Sequence, residues 1–283
     1  MTKIVLMLIC LTGIATGAFG QETAFETTEI VPGVYQFRYQ SHNGFFVVSD
    51  DGVVAIDPIS TDAAEQYANE IRRFAPDATL RAVVYSHDHA DHATGAEVLR
   101  GAFQSKVPVI AHQNAVAPLR AAADPDLPAP TITFSDVLTL RFGGRTLELH
   151  HLGKNHSDNS LVAFLPDERV AFAVDFVAHD RVGYRDLPGF VFPDQFESLV
   201  RLAALDFDRI VFGHGPAGDK ASVERQVGYY RALEKAVEAA HAAGMTEDQA
   251  ADEVRLPAYA DWGGYEDWFP LNVRGMYRWI DTR

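Results

Sequence analysis

The run SHDHADHATG, residues 86–95, packs three histidines and two aspartates between His87 and His92, out of 11 histidines in the whole chain. A solvated loop needs polarity, but it has no use for imidazoles at alternating positions. In an extended segment His87 and His89 point the same way, so both can grip one ion. Asp91 and His92, at the turn into a helix, can grip a second ion close by. Three further polar residues follow apolar runs or sit beside Gly-rich turns: His156 in NHSDN, Asp175 at the end of VAFAVD, and His214 in GHG. Burying such groups without a partner costs several kcal/mol, on the order of 2–7 for a neutral polar group. The chain must therefore fold so that residues from both halves meet at one edge, and a metal cluster is the compensator that suits imidazole and carboxylate together.

The rest of the sequence supplies a scaffold for such an edge. GVYQFRY, FFVVSDDGVVAIDP and AVVYSHDH read as strands, with Asp50-Asp51-Gly52 as a hairpin turn. Thr61 is placed to cap the helical pattern DAAEQYANEIRRF, in which Ala64, Tyr67, Ala68 and Ile71 recur at helical spacing. HATGAEVLRG and QNAVAPLRAAA read as shorter helices, and the Pro-rich DPDLPAP breaks the pattern near mid-chain. The second half follows the same alternation, with strands at VLTLRF, TLELHHL, SLVAFLP and VAFAVD, a helix near Phe196 to Ala204, the strand RIVFG, and a helix from Ser222 to Ala243. Two halves of strands, each followed by helices, predict an α/β fold: a four-layer αββα sandwich rather than two linked domains.

Composition narrows the function classes. With 47% apolar and 22% charged residues the chain can fill a large core. A formal net charge of −15 argues against a general nucleic-acid surface. Residues 1–20 read as a signal peptide: Lys3 gives the positive start, Ile4 to Ile14 the apolar run, and Ala18-Phe19-Gly20 the small-x-small cleavage site before Gln21. The apolar run is shorter than the ~18 residues a membrane span needs. The expectation is a periplasmic or secreted protein of residues 21–283, with no stable membrane insertion after cleavage. The only cysteine, Cys10, lies in the signal segment, so the mature chain has no disulfide and must hold metal through His, Asp or Glu.

The set HDHADH, NHSDN, VDF and GHG resembles the metallo-β-lactamase superfamily, over roughly Ile30 to His214. The resemblance implies a metallo-β-lactamase sandwich and two zinc ions (Zn²⁺). His87, His89 and His156 would hold the first ion. Asp91, His92 and His214 would hold the second, with Asp175 bridging. It also implies a bridging hydroxide as nucleophile and Asp91 as the catalytic residue that orients it and carries a proton to the leaving group.

Within the superfamily the signals diverge. NHSDNSLVAFLP is similar to the β-lactamases that carry a Cys in the second site, yet here Asp175 stands in that position, the pattern of the glyoxalase II, lactonase and ribonuclease Z branches. Those β-lactamases also have a Lys three residues later to hold the substrate carboxylate, where this chain has Ala178. The expected function is carbonyl attack on a small-molecule substrate, favouring β-lactam or lactone ring opening. The alternatives are a glyoxalase II-like thioesterase, a persulfide dioxygenase with one iron at the counterparts of His87, His156 and Asp175, or a non-catalytic metal-binding relay partner.

Choice of substrate falls to loops, chiefly residues 176–193 after Asp175. His179, Arg181, Tyr184 and Arg185 there are the substrate candidates; arginine suits a carboxylate through its planar fork. Asp88 is a spacer or a partner that orients a ligand histidine, and Asn159 braces the loop of His156. His42 is placed at the pocket rim, His112 in a structural role, and His150 and His151 at the surface or in packing. Residues from about 219 to 283 form a helical, aromatic extension whose Tyr259, Trp262, Tyr265, Trp268 and Phe269 read as packing or as a pocket wall.

Overall fold

Which face of each strand is buried, and against what, decides the layers in the computed structural model, which describes residues 25–283. The expected signal segment, residues 1–20, lies outside the described residues. Strands β1 (Phe25–Val31), β2 (Val34–Tyr39), β3 (His42–Ser49) and β4 (Gly52–Ile56) form an antiparallel run. Strands β5 (Leu80–Val84), β6 (Val109–His112) and β7 (Ile132–Phe134) continue the same sheet in parallel. The second sheet holds β8 (Val137–Phe142), β9 (Arg145–His150), β10 (Val162–Leu165), β11 (Val170–Ala173), β12 (Arg209–Phe212) and β13 (Gly218–Asp219), in the spatial order 13-12-11-10-9-8. All its pairings are antiparallel except that of β11 with β12.

Alternating side chains build three cores from these two sheets. Phe45, Val47, Val54 and Ile56 of the first sheet meet Leu147, Leu149, Phe172 and Val211 of the second, with Phe45 and Phe172 stacked at 5.3 Å. Each fully buried Phe there contributes roughly 1.5–3 kcal/mol. The opposite face of the first sheet (Phe46, Val53, Ala55) is covered by α1 (Thr61–Phe74), α3 (Ala96–Ala102) and α4 (Val116–Ala122). The opposite face of the second (Ala171, Ala173, Phe212) is covered by α5 (Asp194–Ala204), α6 (Lys220–Ala242), α7 (Glu247–Glu253) and α8 (Tyr265–Asp281). The result is the expected αββα sandwich. Among the described residues, no helix is long and apolar enough to cross a membrane.

Three local features differ from the sequence expectation. Ser60, not Thr61, caps α1: its backbone is extended (φ −160°) and its hydroxyl accepts from the amide of Ala63 at 3.1 Å. HATGAEVLRG is not one helix. α2 (Ala90–Ala93) ends at Thr94, and Gly95 (φ +99°) starts α3, because a side chain there would run into the carbonyl oxygen of Ser60. The long helix α6 begins at Lys220 rather than Ser222, since Asp219 caps it through a capping box with Ser222.

Candidate metal centre

The polar residues singled out from the sequence converge on one edge of the sandwich. β5 delivers the segment Ser86 to His89 and then α2, which carries Asp91 and His92; His156 lies between β9 and β10; Asp175 follows β11; His214 follows β12. Two groups form there, each with one donor atom per residue and those atoms within 4.8 Å of one another: His87, His89, His156 and Asp175, and beside them His42, Asp91, His92 and His214.

Asp175 faces both groups. Its Oδ2 lies 3.5 Å from Nε2 of His87 and 3.5 Å from Nε2 of His156. Its Oδ1 lies 3.5 Å from Nε2 of His92 and 3.1 Å from Nε2 of His214. The residue is held at φ +66°, a left-handed backbone that a carboxylate residue adopts at a cost of order 1–3 kcal/mol, the kind of strain that collects at functional sites. Burial pushes the Asp175 carboxyl up, but His92 and the other facing histidines outweigh it and hold it well below the usual range. It stays ionised, the form a cation needs.

The donors fit a metal. The ring nitrogens His87 Nε2 and His92 Nε2 are buried with no hydrogen-bond partner, and His89 Nδ1 faces His156 Nε2 at 3.0 Å. Burial pushes the His156 imidazole down to about 4 and also lowers that of His89, keeping both neutral and able to donate a lone pair. Three imidazoles and one carboxylate oxygen are a zinc-type donor set.

Residues behind the donors fix their directions. Asp57, fully buried, places Oδ2 3.4 Å from His92 Nδ1 while its Oδ1 accepts from the amide of Ser86 at 2.7 Å. Burial pulls the His92 imidazole down, yet Asp175 and Asp57 together raise it well above its ordinary value. Ser86 Oγ lies 2.9 Å from His87 Nδ1. Asp88 and Asn159 pair reciprocally: the Asp88 amide donates to Asn159 Oδ1 at 3.0 Å, and Asn159 Nδ2 donates to Asp88 Oδ1 at 2.8 Å. Asp88 is thus tied to the loop of His156 and orients no histidine ring.

His42 lines the cavity, as expected, and also belongs to the second group. Its Nε2 lies 3.3 Å from Asp91 Oδ2, a contact that draws the Asp91 carboxyl down, and its backbone bridges to His214. The signal for this was weak, since His42 stands alone at a strand start. Asn43 straps the same strand to the turn of His214, donating from Nδ2 to the carbonyl oxygens of Phe212 and Gly215, both at 2.8 Å. The sequence offered no hint of Asp57, which reads as an ordinary turn residue in IDP.

A cavity of about 580 Å³ opens over the centre. Of the four substrate candidates, Arg181 and Tyr184 line it, as does Ala178. His179 does not; its Nδ1 meets Ser222 Oγ at 3.0 Å at the start of α6. Arg185 does not either; its guanidinium lies 5.0 Å from the centre of the Tyr184 ring. Trp268 reaches the cavity from the aromatic tail, with the Arg181 guanidinium 4.6 Å over its ring. Tyr265 and Phe269 stack on each other at 4.5 Å in the core. Away from the centre, His150 pairs with Glu148 at 2.8 Å, and His112 and His151 stack on each other at 3.9 Å.

Known proteins are similar to this chain in sequence and in fold. The metallo-β-lactamase superfamily model matches residues 39–214. A type 2 metallo-β-lactamase of Bacteroides fragilis is 27% identical over 131 residues, which is 46% of this chain and 50% of that protein, so the chain spans about half the length of this curated relative. The metallo-β-lactamase from Pontibacter korlensis superposes with a TM-score of 0.62 at 21% identity, over 73% of this chain and 99% of that one. TMB-1 gives 0.63 at 21% identity, over 74% and 99%. With a family match across well over half its length, carried on the same two-sheet fold, the chain belongs to the metallo-β-lactamase superfamily.

Proposed function

We propose that the chain is a secreted or periplasmic di-zinc hydrolase that opens a cyclic carbonyl substrate, a β-lactam or a lactone. The observation that carries the reading is the two-sided Asp175, each of whose oxygens faces a separate group of histidines. His87, His89 and His156 would hold one zinc, Asp91, His92 and His214 the other with His42 beside them, and Asp175 would join the two. Zinc bound there supplies a water nucleophile near neutral pH and polarises the carbonyl. Asp91, held by His42 and lining the cavity, is the group placed to take a proton and pass it to the leaving group. Arg181 is the cation available to a substrate carboxylate in place of the lysine that Ala178 replaces. The signal-like residues 1–20 support export.

A thioesterase of the glyoxalase II kind is the second reading, favoured by Asp175 standing where a cysteine would mark the β-lactamases. The test is metal content together with turnover by zinc-loaded protein of a penicillin, a carbapenem, a homoserine lactone and a glutathione thioester. About two zinc per chain with modest β-lactam or lactone turnover supports the first reading. Efficient thioester turnover with the rings untouched supports the second, and a single bound iron points to oxygenase chemistry.

A further inference from the structure

The cavity extends well past the metal-facing residues, and its far wall lies outside the residues that the family model matches. Gln226 and Tyr230 line it from α6 and Trp268 lines it from α8, whereas the family match ends at residue 214. Gln226 and Tyr230 stand four residues apart and so share one face of α6. Around them Val182, Gly183 and Tyr184 make the wall largely apolar, with Tyr184 packed edge-on against Trp268 at 5.0 Å.

Gln226 is the exception in that wall. It is 1% exposed, it lines the cavity, and its Oε1 is buried with no hydrogen-bond partner. A buried amide oxygen without a donor is costly, and native proteins answer nearly all of them. Nearby Asn272 shows the usual solution: its Oδ1 accepts from the hydroxyl of Tyr229 at 2.6 Å, and its Nδ2 donates to three backbone carbonyls. Gln195 Oε1 is likewise unpartnered, but Gln195 does not line the cavity and its Nε2 is tied to the carbonyl oxygen of Phe176. Among the described residues, and apart from the metal-facing His156 and Asp175, Gln226 is the one unpartnered buried side chain that also lines the cavity.

Resting on the ring-opening reading above, we infer that Gln226 is a specificity-determining residue that receives a secondary amide in the non-reacting part of the substrate. The amide N–H donates to Gln226 Oε1, and the acyl tail beyond it packs on Tyr230 and Trp268. A secondary amide is the group that matches the wall, because it carries one strong donor flanked by carbon, while a charged donor would be stranded among apolar side chains. N-acylamino β-lactams and N-acyl homoserine lactones both have this pattern: a strained or activated ring carbonyl, an amide one bond away from the ring, and an apolar acyl group.

The test compares matched ligands with and without the amide: an N-acyl homoserine lactone against γ-butyrolactone, and benzylpenicillin against penicillanic acid. Zinc-loaded wild type, Gln226→Leu and Gln226→Met are assayed for turnover and for binding, the latter by calorimetry with the ring-opened compounds, which needs no chemistry. Both substitutions replace a buried polar group with an apolar one of similar size, and thermal melting checks that each folds. The preference for the acylated member should fall about tenfold in both variants, in Kd and in KM alike. If discrimination is equal in wild type and variants, or wild type binds neither member, the assignment is overturned. Ring opening with an unchanged preference rejects Gln226 and leaves the hydrolase reading intact; binding that depends on Gln226 without turnover of any ring does the reverse.

Discussion

Asp57 stands directly behind His92, with Oδ2 3.4 Å from His92 Nδ1 and no solvent contact at either side chain. A carboxylate in that place fixes the ring so that Nε2 points at Asp175, and it raises the basicity of the imidazole as a ligand. Asp57→Asn keeps an acceptor for the Ser86 amide but removes the charge. Zinc affinity of the second site should fall about 10–100-fold, while the protein still folds. Competition titration with a chelating dye measures this; unchanged affinity would show that His92 is oriented by packing alone.

Asp175 should be far less tolerant. Because one oxygen faces each group, Asp175→Ala removes a donor from both at once and leaves His87 Nε2 and His92 Nε2 buried without a charge to face. Elemental analysis of the purified variant should find well under one zinc per chain, with nearly all turnover lost. Retention of two ions would end the bridging assignment.

Much of this centre was legible because its residues are dense in the sequence or end recognisable strands. The run from His87 to His92 announces itself, and periodic apolar positions such as Ala64, Tyr67 and Ile71 correctly placed a helix against a sheet. Asp57 and Gln226 were not legible, and His42 was legible only as a rim residue, since each acts through a partner distant in sequence: Asp57 through Ser86 and His92, His42 through Asp91, Gln226 through the cavity itself. The loop after Asp175 shows the same limit from the other side. Its composition named four candidates, but the direction of each side chain depends on packing. Ser222 at the start of α6 draws His179 away, whereas Trp268 draws Arg181 in.

That difference in direction separates the two arginines. Arg181→Ala should raise KM for a carboxylate-bearing substrate roughly 10–100-fold with little change in kcat, as expected when a charge-assisted hydrogen bond common to ground and transition states is removed. Arg185→Ala should change KM less than about threefold, since its side chain lies along Tyr184 outside the cavity. Steady-state kinetics on both variants decides; equal effects would mean that the loop rearranges on binding.

The wall loop owes its shape to Asn272. Asp180, Arg185 and Leu187 all have positive φ, a costly set of conformations in one stretch. Asn272, fully buried on α8, donates to the carbonyl oxygens of Gly183 and Arg185 at 2.7 and 2.6 Å. Asn272→Ala should destabilise the fold by about 2–4 kcal/mol, from orphaned carbonyls and a lost acceptor for Tyr229. It should also raise KM more than it lowers kcat, because Tyr184 loses its support while the metal-facing residues do not. Chemical denaturation and kinetics on the same preparation test both parts.

Acid sensitivity should come in part from a second histidine pair, away from the metal centre. His112 on β6 and His151 after β9 stack at 3.9 Å with their planes 17° apart, joining the two sheets at one edge. Their hydrogen bonds fix where the protons sit. His112 Nε2 donates to the carbonyl oxygen of Ser135 at 3.0 Å, leaving Nδ1 to accept from the amide of Asn114 at 3.4 Å. His151 Nδ1 donates to the carbonyl oxygen of Ser160 at 3.0 Å. Protonating His112 would remove that acceptor and set a charge in a buried stack. Burial first, and His151 second, push its imidazole below the ordinary value despite Asp158 and Asp136 nearby. The unfolded chain, with an ordinary imidazole near about 6.5, therefore binds more protons than the native one in the window just below that value. Stability should fall as pH drops through that window and level off once pH passes the lowered native value. Replacing the ring by an uncharged donor, His112→Gln, should flatten the dependence of Tm on pH between about 7 and 5 relative to wild type. The metal-facing histidines are common to both proteins, so the difference between the two melting curves isolates the stacked pair. Parallel curves across that range would mean that His112 carries no share of the acid sensitivity.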